Sequence, residues 1–218
     1  MNFKKWIYIF IAEIFLGAFI LATLSIIVDP FFHYHKPLPG LFYVLNNERY
    51  QNDGILKHFD YDAIITGSSM TQNFKTSEFN VLFNANAIKV PFSGGTFKEM
   101  NDNIATAYRT NHNLKYVVRS LDSYNILYDK DGMRNDLGQY PVYLYNDDLI
   151  DDFKYIFNED VVKTSAKILK NTFKSKEGGV TSFDEYANWN DDYKFGAASV
   201  LKKRTEFKKS KQIRTLTE

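Results

Sequence analysis

The sequence predicts an α/β domain built on parallel strands and carried on one N-terminal membrane helix. Three observations predict it: an apolar run over residues 6–28, three short apolar segments that each stop in small or polar residues, and helical periodicity between those segments. A chain of 218 residues has room for one such anchor and one domain of ordinary size. Its formal net charge of +1 leaves no global field to favour nucleic acid or a strongly acidic partner, so binding has to be argued from a site.

Between Trp6 and Val28 the single charged residue is Glu13. At about 1.5 Å rise per residue this run crosses a hydrocarbon core of roughly 30 Å. Glu13 costs on the order of 2–3 kcal/mol, which about six or more Leu, Ile and Phe side chains outweigh. Lys4 and Lys5 precede the run, and Asp29 and Pro30 end it. The positive-inside rule then puts residues 1–5 in the cytoplasm, makes 6–28 a retained signal anchor crossing the plasma membrane once, and exports the rest. No Ala-x-Ala cleavage site follows the run. The absence of cysteine excludes disulfides, thiolate catalysis and Cys-based zinc sites.

Residues 29–60, with Pro37 to Gly40 and little periodicity, read as a stalk and lead-in, and the domain as 61–200. The first strand is expected over Asp62–Thr66, stopped by Gly67, Ser68 and Ser69; the second over Ala87–Phe92, stopped by Ser93, Gly94 and Gly95. Thr96 and Glu99 form a capping-box pattern, and Phe97, Met100, Ile104 and Tyr108 follow at near-helical spacing. The third strand, Leu114–Val118, runs into Arg119–Asp122. This βαβαβ pattern predicts the strand order second, first, third, with a crevice at the carboxyl ends. Helices are expected over 147–157 and 160–173, a loop over 174–179, a further capping box at Ser182–Glu185, and a solvated basic tail over 201–218.

The turn Gly67-Ser68-Ser69-Met70-Thr71 after the first strand resembles that of the SGNH/GDSL hydrolase family, in particular its membrane-anchored bacterial envelope members. The likeness covers roughly Tyr61 to Asp122. It implies a three-layer, flavodoxin-like parallel sheet and serine esterase or acyltransferase chemistry on acylated cell-envelope polymers such as polysaccharide, without cofactor or metal. Ser69 takes the place of the nucleophile and Ser68 that of the family's Asp. A serine on a sharp strand-to-helix turn projects its hydroxyl over the crevice, and its own N–H faces a developing oxyanion. Gly94 or Gly95 matches the glycine of the second block as a further donor. Asp122 and Asn125 are both candidates for the Asn of the third.

The family's Asp-x-x-His base block is missing, since the histidines are His33, His35, His58 and His112. A serine without a base is a poor nucleophile at neutral pH. The chain is therefore read either as an incomplete piece of a longer hydrolase or as a non-catalytic relative that keeps the crevice to bind a glycan or a protein. In either case little or no esterase activity is expected. Ser93–Thr96 can also be read as a phosphate nest at a helix N-terminus. His33 and His35 read as interfacial decoration and His112 as a loop residue. Asp147, Asp148, Asp151 and Asp152 read as an acidic helix start, because the spacing lacks the Gly and terminal Glu of a calcium loop.

Overall fold

The computed structural model describes residues 3–123, 131–134, 140–146, 148–175, 179, 181–189 and 201–205. The chain divides into two units, Met1–Ala187 and Asn188–Glu218. In the second, residues 201–205 are helical, and Thr205 Oγ1 donates to Leu201 O at 2.9 Å. The remainder of the expected basic tail lies outside the described residues.

The apolar run forms helix α1, Phe3–Val28, which is long and apolar enough to span a membrane. Large side chains on all its sides are exposed over most of its length, as lipid rather than water would require. Only towards its end does one face become covered, with Ser25 and Val28 buried.

A small sheet of three parallel strands lies at the centre of the domain: β1 (Ala63–Thr66), β2 (Ala87–Lys89) and β3 (Tyr116–Arg119), in the order β2-β1-β3. This is the predicted order. Ile64 pairs with Ile88 on one side and Val117 on the other. β1 is buried on both faces, which explains why it reads as a continuous apolar run without alternation. Helix α3 (Thr76–Phe83) joins β1 to β2, and Phe79 packs with Ala63, Ile65 and Ala87 on one face. Helix α4 (Phe97–Thr110) joins β2 to β3, and Ile104 and Ala107 pack with Ile64 and Ile88 on the other.

The expected capping box of α4 is present in full. Its buried stripe differs from the expected one: Met100, Asn103 and Ala107 face inward, whereas Tyr108 is 65% exposed. The Asn103 amide turns the helix by donating to Val90 O at 2.8 Å, a polar contact that apolar spacing cannot reveal.

The stalk predicted over residues 29–60 is instead part of the domain. It contains helix α2 (Glu48–His58), and Phe31, Phe32, Leu45, Ile55 and Leu56 are buried. Burying each such side chain contributes about 1.5–3 kcal/mol. Phe32 meets Tyr43 and Phe59 with ring centroids 5.6 and 5.2 Å apart. At Gly54 a Cβ would lie 2.3 Å from Phe32 O, so only glycine lets α2 approach that backbone. The segment lacks periodicity because side chains, rather than a ladder, satisfy its backbone. Buried Gln51 accepts from Asn46 and Asn47 N–H at 2.8 and 3.0 Å and donates to Val44 O at 2.8 Å and Pro30 O at 3.4 Å.

At the end of α1, Asp29 ties the chain into a knot. Its carboxylate accepts from the N–H groups of His33, Tyr34 and His35 at 2.9, 2.7 and 2.9 Å and from Tyr155 Oη at 2.6 Å. His33 Nε2 lies 3.1 Å from Asp152 Oδ1, and its ring packs on Tyr34 and Tyr155. His33 is thus structural rather than interfacial decoration. Both ring nitrogens of His35 face carbonyls, Lys36 O at 2.6 Å and Ile26 O at 3.1 Å. Burial pulls its pKa down, but these two acceptors and the Asp29 charge outweigh burial and raise it.

Beyond the sheet, the helix expected over 147–157 is a 3-10 turn (Leu149–Asp152) running into the short α5 (Phe153–Ile156), and α6 spans Glu159–Phe173. Asp148 caps Ile150 N–H, while Asp151 pairs with Lys154 and Asp152 with His33. Asp147 lies outside the described residues. The expected helix start at Ser182–Glu185 is a turn in which Ser182 O accepts from Tyr186 N at 2.9 Å. Asp184 caps α3 instead, accepting from Thr76 Oγ1 and Ser77 N–H, both at 2.9 Å.

Candidate active-site crevice

Three loops leave the carboxyl ends of the three strands and meet. Ser120 N–H donates to Thr66 O at 3.1 Å and Phe92 N–H to Gly67 O at 2.9 Å, so the sheet pairing continues past the strands into the turn. Ser68 N–H then donates to Ser120 Oγ at 3.2 Å, and the Ser68 hydroxyl donates to the Asp122 carboxylate. Gly67, Ser68, Ser69 and Asp122 thus lie on adjoining loops at the carboxyl ends of β1 and β3, where the strand pattern expected Ser69, Gly94 and Asp122 to converge. A Cβ on Gly67 would lie 2.1 Å from Thr71 Oγ1 and 2.2 Å from Ser120 Oγ, so any larger residue would have to turn these hydroxyls aside, among them the Ser120 oxygen that accepts from Ser68 N–H. Ser69 follows, half-buried between buried Ser68 and exposed Met70. Asn125, the other third-block candidate, lies outside the described residues.

The second loop is narrower in its possibilities than its sequence. Gly95 N–H is engaged by Phe92 O at 3.0 Å, Ser93 N–H by Glu48 Oε2 at 2.5 Å, and Thr96 N–H by Glu99 Oε2 at 2.8 Å. Gly94 carries the loop amide that none of these bonds engages. Gly94 and Gly95, the two candidate donors, thus differ in that the Gly95 N–H is held within its own turn. The same capping box places the Glu99 carboxylate at the α4 N-terminus, and a phosphate there would meet that negative charge.

Glu48 and Arg49, which no motif singled out, order this loop from the first turn of α2. Arg49 Nη2 donates to Ser93 O at 3.2 Å, and its Nε meets Glu99 Oε1 at 3.0 Å with both side chains buried. Glu48 also accepts from the Gln72 amide, linking the second loop to the 3-10 turn (Thr71–Asn73) that follows Ser69. Lys89, fully buried on β2, donates to Gln72 O at 2.5 Å and fixes that turn from below. A cleft of about 440 Å³ opens between Asn47, Glu48, Arg49, Gln72, Ser93 and Tyr186. The sole signal in the sequence was the Asn47 cap before a short polar helix. A larger cleft of about 630 Å³, lined in part by Phe32, Tyr43, Phe59 and Phe183, lies elsewhere. It borders the end of α1, because Tyr43 Oη donates to Val28 O.

No histidine enters the crevice. His112 lines a cleft with Asp62 and Asn86 at the opposite, amino ends of the strands, and His58 Nε2 lies 3.2 Å from His33 O. No family model, curated protein or solved structure matches this chain.

Burial pushes the Glu48 carboxyl up, against the lowering by Ser93 N–H, the Gln72 amide and Arg49. Burial likewise raises Asp53, against Lys57. A carboxyl with a raised folded-state pKa favours folding while protonated, so its contribution is present below the ordinary value of about 4 and is lost as pH rises through the folded value. Glu48 and Asp53 should each contribute a fall in stability as pH rises above about 4, opposite in sign to Asp62, Asp151, Glu159 and Asp184, whose pKa values are lowered, so the Glu48 part is read as the difference between parent and Glu48→Gln in thermal unfolding of the full chain in detergent. Glu48→Gln, which keeps an acceptor for Ser93 N–H once the Gln72 amide is turned over, should remove part of that fall. An identical pH profile in the variant would contradict the assignment.

Proposed function

We propose that the chain is a membrane-anchored, SGNH-like serine esterase or acyltransferase domain acting on acylated cell-envelope polymers outside the cytoplasm. In this reading α1 crosses the plasma membrane with Lys4 and Lys5 inside, and the sheet belongs to a three-layer, flavodoxin-like architecture. Ser69 is the nucleophile. Its own N–H and that of Gly94 stabilise the oxyanion, and Asp122 holds the turn through Ser68. The observation that carries the reading is the meeting of the Gly67–Ser69 turn with the loops after β2 and β3 at the carboxyl edge of a β2-β1-β3 parallel sheet.

Proton removal from Ser69 needs a base within about 3 Å. The placement of the histidines favours, as a second reading, a crevice that binds a glycan or a protein without turnover. One assay separates the two: hydrolysis of a short-chain aryl ester by the full chain in detergent, set against Ser69→Ala. Oxyanion donors alone leave a residual rate of roughly 10³–10⁴ over water that does not need the serine, so the chain should show little or no turnover and Ser69→Ala should leave that residual in place. Robust turnover abolished by Ser69→Ala would show a base serving Ser69 and favour the hydrolase; a residual unchanged by the substitution favours the binding reading for this chain.

A further inference from the structure

Helix α1 does not end in a flexible tether. Ser25 Oγ donates to Ile156 O at 2.7 Å, so α5 touches α1 one turn before its end, and buried Tyr155 in the same turn holds Asp29. A hydrocarbon core of roughly 30 Å takes up about 20 residues of helix. An apolar run from Trp6 to Val28 therefore brings Ser25 to the hydrocarbon–headgroup boundary, and α5 with it.

Alongside that contact runs an apolar stripe that the domain does not cover. Ile150, Phe153 and Phe157 are 78%, 55% and 53% exposed, and their i, i+3, i+7 spacing through the 3-10 turn and α5 puts them on one side, away from buried Tyr155. In water such a patch is unfavourable. At the depth fixed by Ser25 it meets lipid, where aromatic rings are favoured at the headgroup level.

We propose that Ile150, Phe153 and Phe157 seat the domain in the outer face of the bilayer, the occupant of this surface being membrane lipid. The inference rests on the reading of α1 as a membrane span. Its consequence reaches the crevice, because α2 joins the two. Gln51 bonds Pro30 O just after α1, whereas Glu48 and Arg49, one turn earlier, hold the Ser93 loop. The crevice loop is thereby held by the same short helix that fastens the domain to the end of α1.

The test uses the lack of cysteine, which makes every introduced cysteine a unique label site. Phe153→Cys, Phe157→Cys, Ile20→Cys in α1 and Val81→Cys on α3 each carry a bimane fluorophore, in the full chain reconstituted into phosphatidylcholine–phosphatidylglycerol nanodiscs. Lipids brominated near the headgroup end of the acyl chain should quench the labels at 153 and 157 at least about twofold. The label at Val81, which is 84% exposed, should keep its intensity. Deep-brominated lipid should quench the label at Ile20. Quenching at 20 with none at 153 and 157 would overturn the seat while leaving the span intact. No quenching at 20 would overturn both. Shielding of 153 and 157 that grows with the protein-to-lipid ratio and is insensitive to bromine would assign the stripe to a second copy, and the proposal would fall.

Discussion

Asp29→Ala is expected to lower the stability of the full chain by on the order of 3 kcal/mol, since a buried donor left without its acceptor costs about 1–3 kcal/mol and a half-buried one less. Three backbone N–H groups and the Tyr155 hydroxyl would lose their partner together. Asp29 also sits at φ 44°, a left-handed conformation that Asp and Asn tolerate better than Ala. For a chain of this size the loss corresponds to a drop in Tm of about 10 °C, read by thermal unfolding in detergent. Asp29→Asn keeps one acceptor oxygen and should lose less than Asp29→Ala. An alanine variant that melts with the parent would mean that the knot does not hold the domain to α1.

The second large effect is expected at Arg49. Arg49→Ala leaves Glu99, which is fully buried, without its counter-charge, and breaking such a pair typically costs about 3–5 kcal/mol. Replacing both members, Arg49→Ala with Glu99→Gln, removes the isolated charge while keeping an acceptor in the α4 capping box. The double variant should therefore be more stable than Arg49→Ala alone. If it is less stable, the ion pair is not the source of the loss. Because Arg49 also holds Ser93 O, hydrogen exchange at the loop after β2 should rise in Arg49→Ala even at temperatures where the fold persists.

Much of the sheet was legible. β1, β2 and β3 are short apolar runs with small or polar stops, and a right-handed crossover rule turns three such runs into the order β2-β1-β3. The turn at Gly67–Ser69 and its meeting with Asp122 followed from that order. The α4 capping box was legible because it is a local device, closed between Thr96 and Glu99. That the Gly95 amide is held by the Phe92 carbonyl was not legible, because it depends on the path the loop takes after β2.

By itself the sequence determined an apolar N-terminal helix, a parallel three-stranded sheet and a serine turn at its carboxyl edge, all of which arise from periodicity, capping and crossover geometry within short stretches of chain. The tertiary structure alone decided that residues 29–60 belong to the domain, that Glu48 and Arg49 shape the crevice and that Asp29 fastens α1 to it. Those outcomes rest on single side chains meeting backbone groups or charges from 44 to 126 positions away. Such contacts leave no period in the sequence, because each satisfies one buried polar group rather than a repeating face.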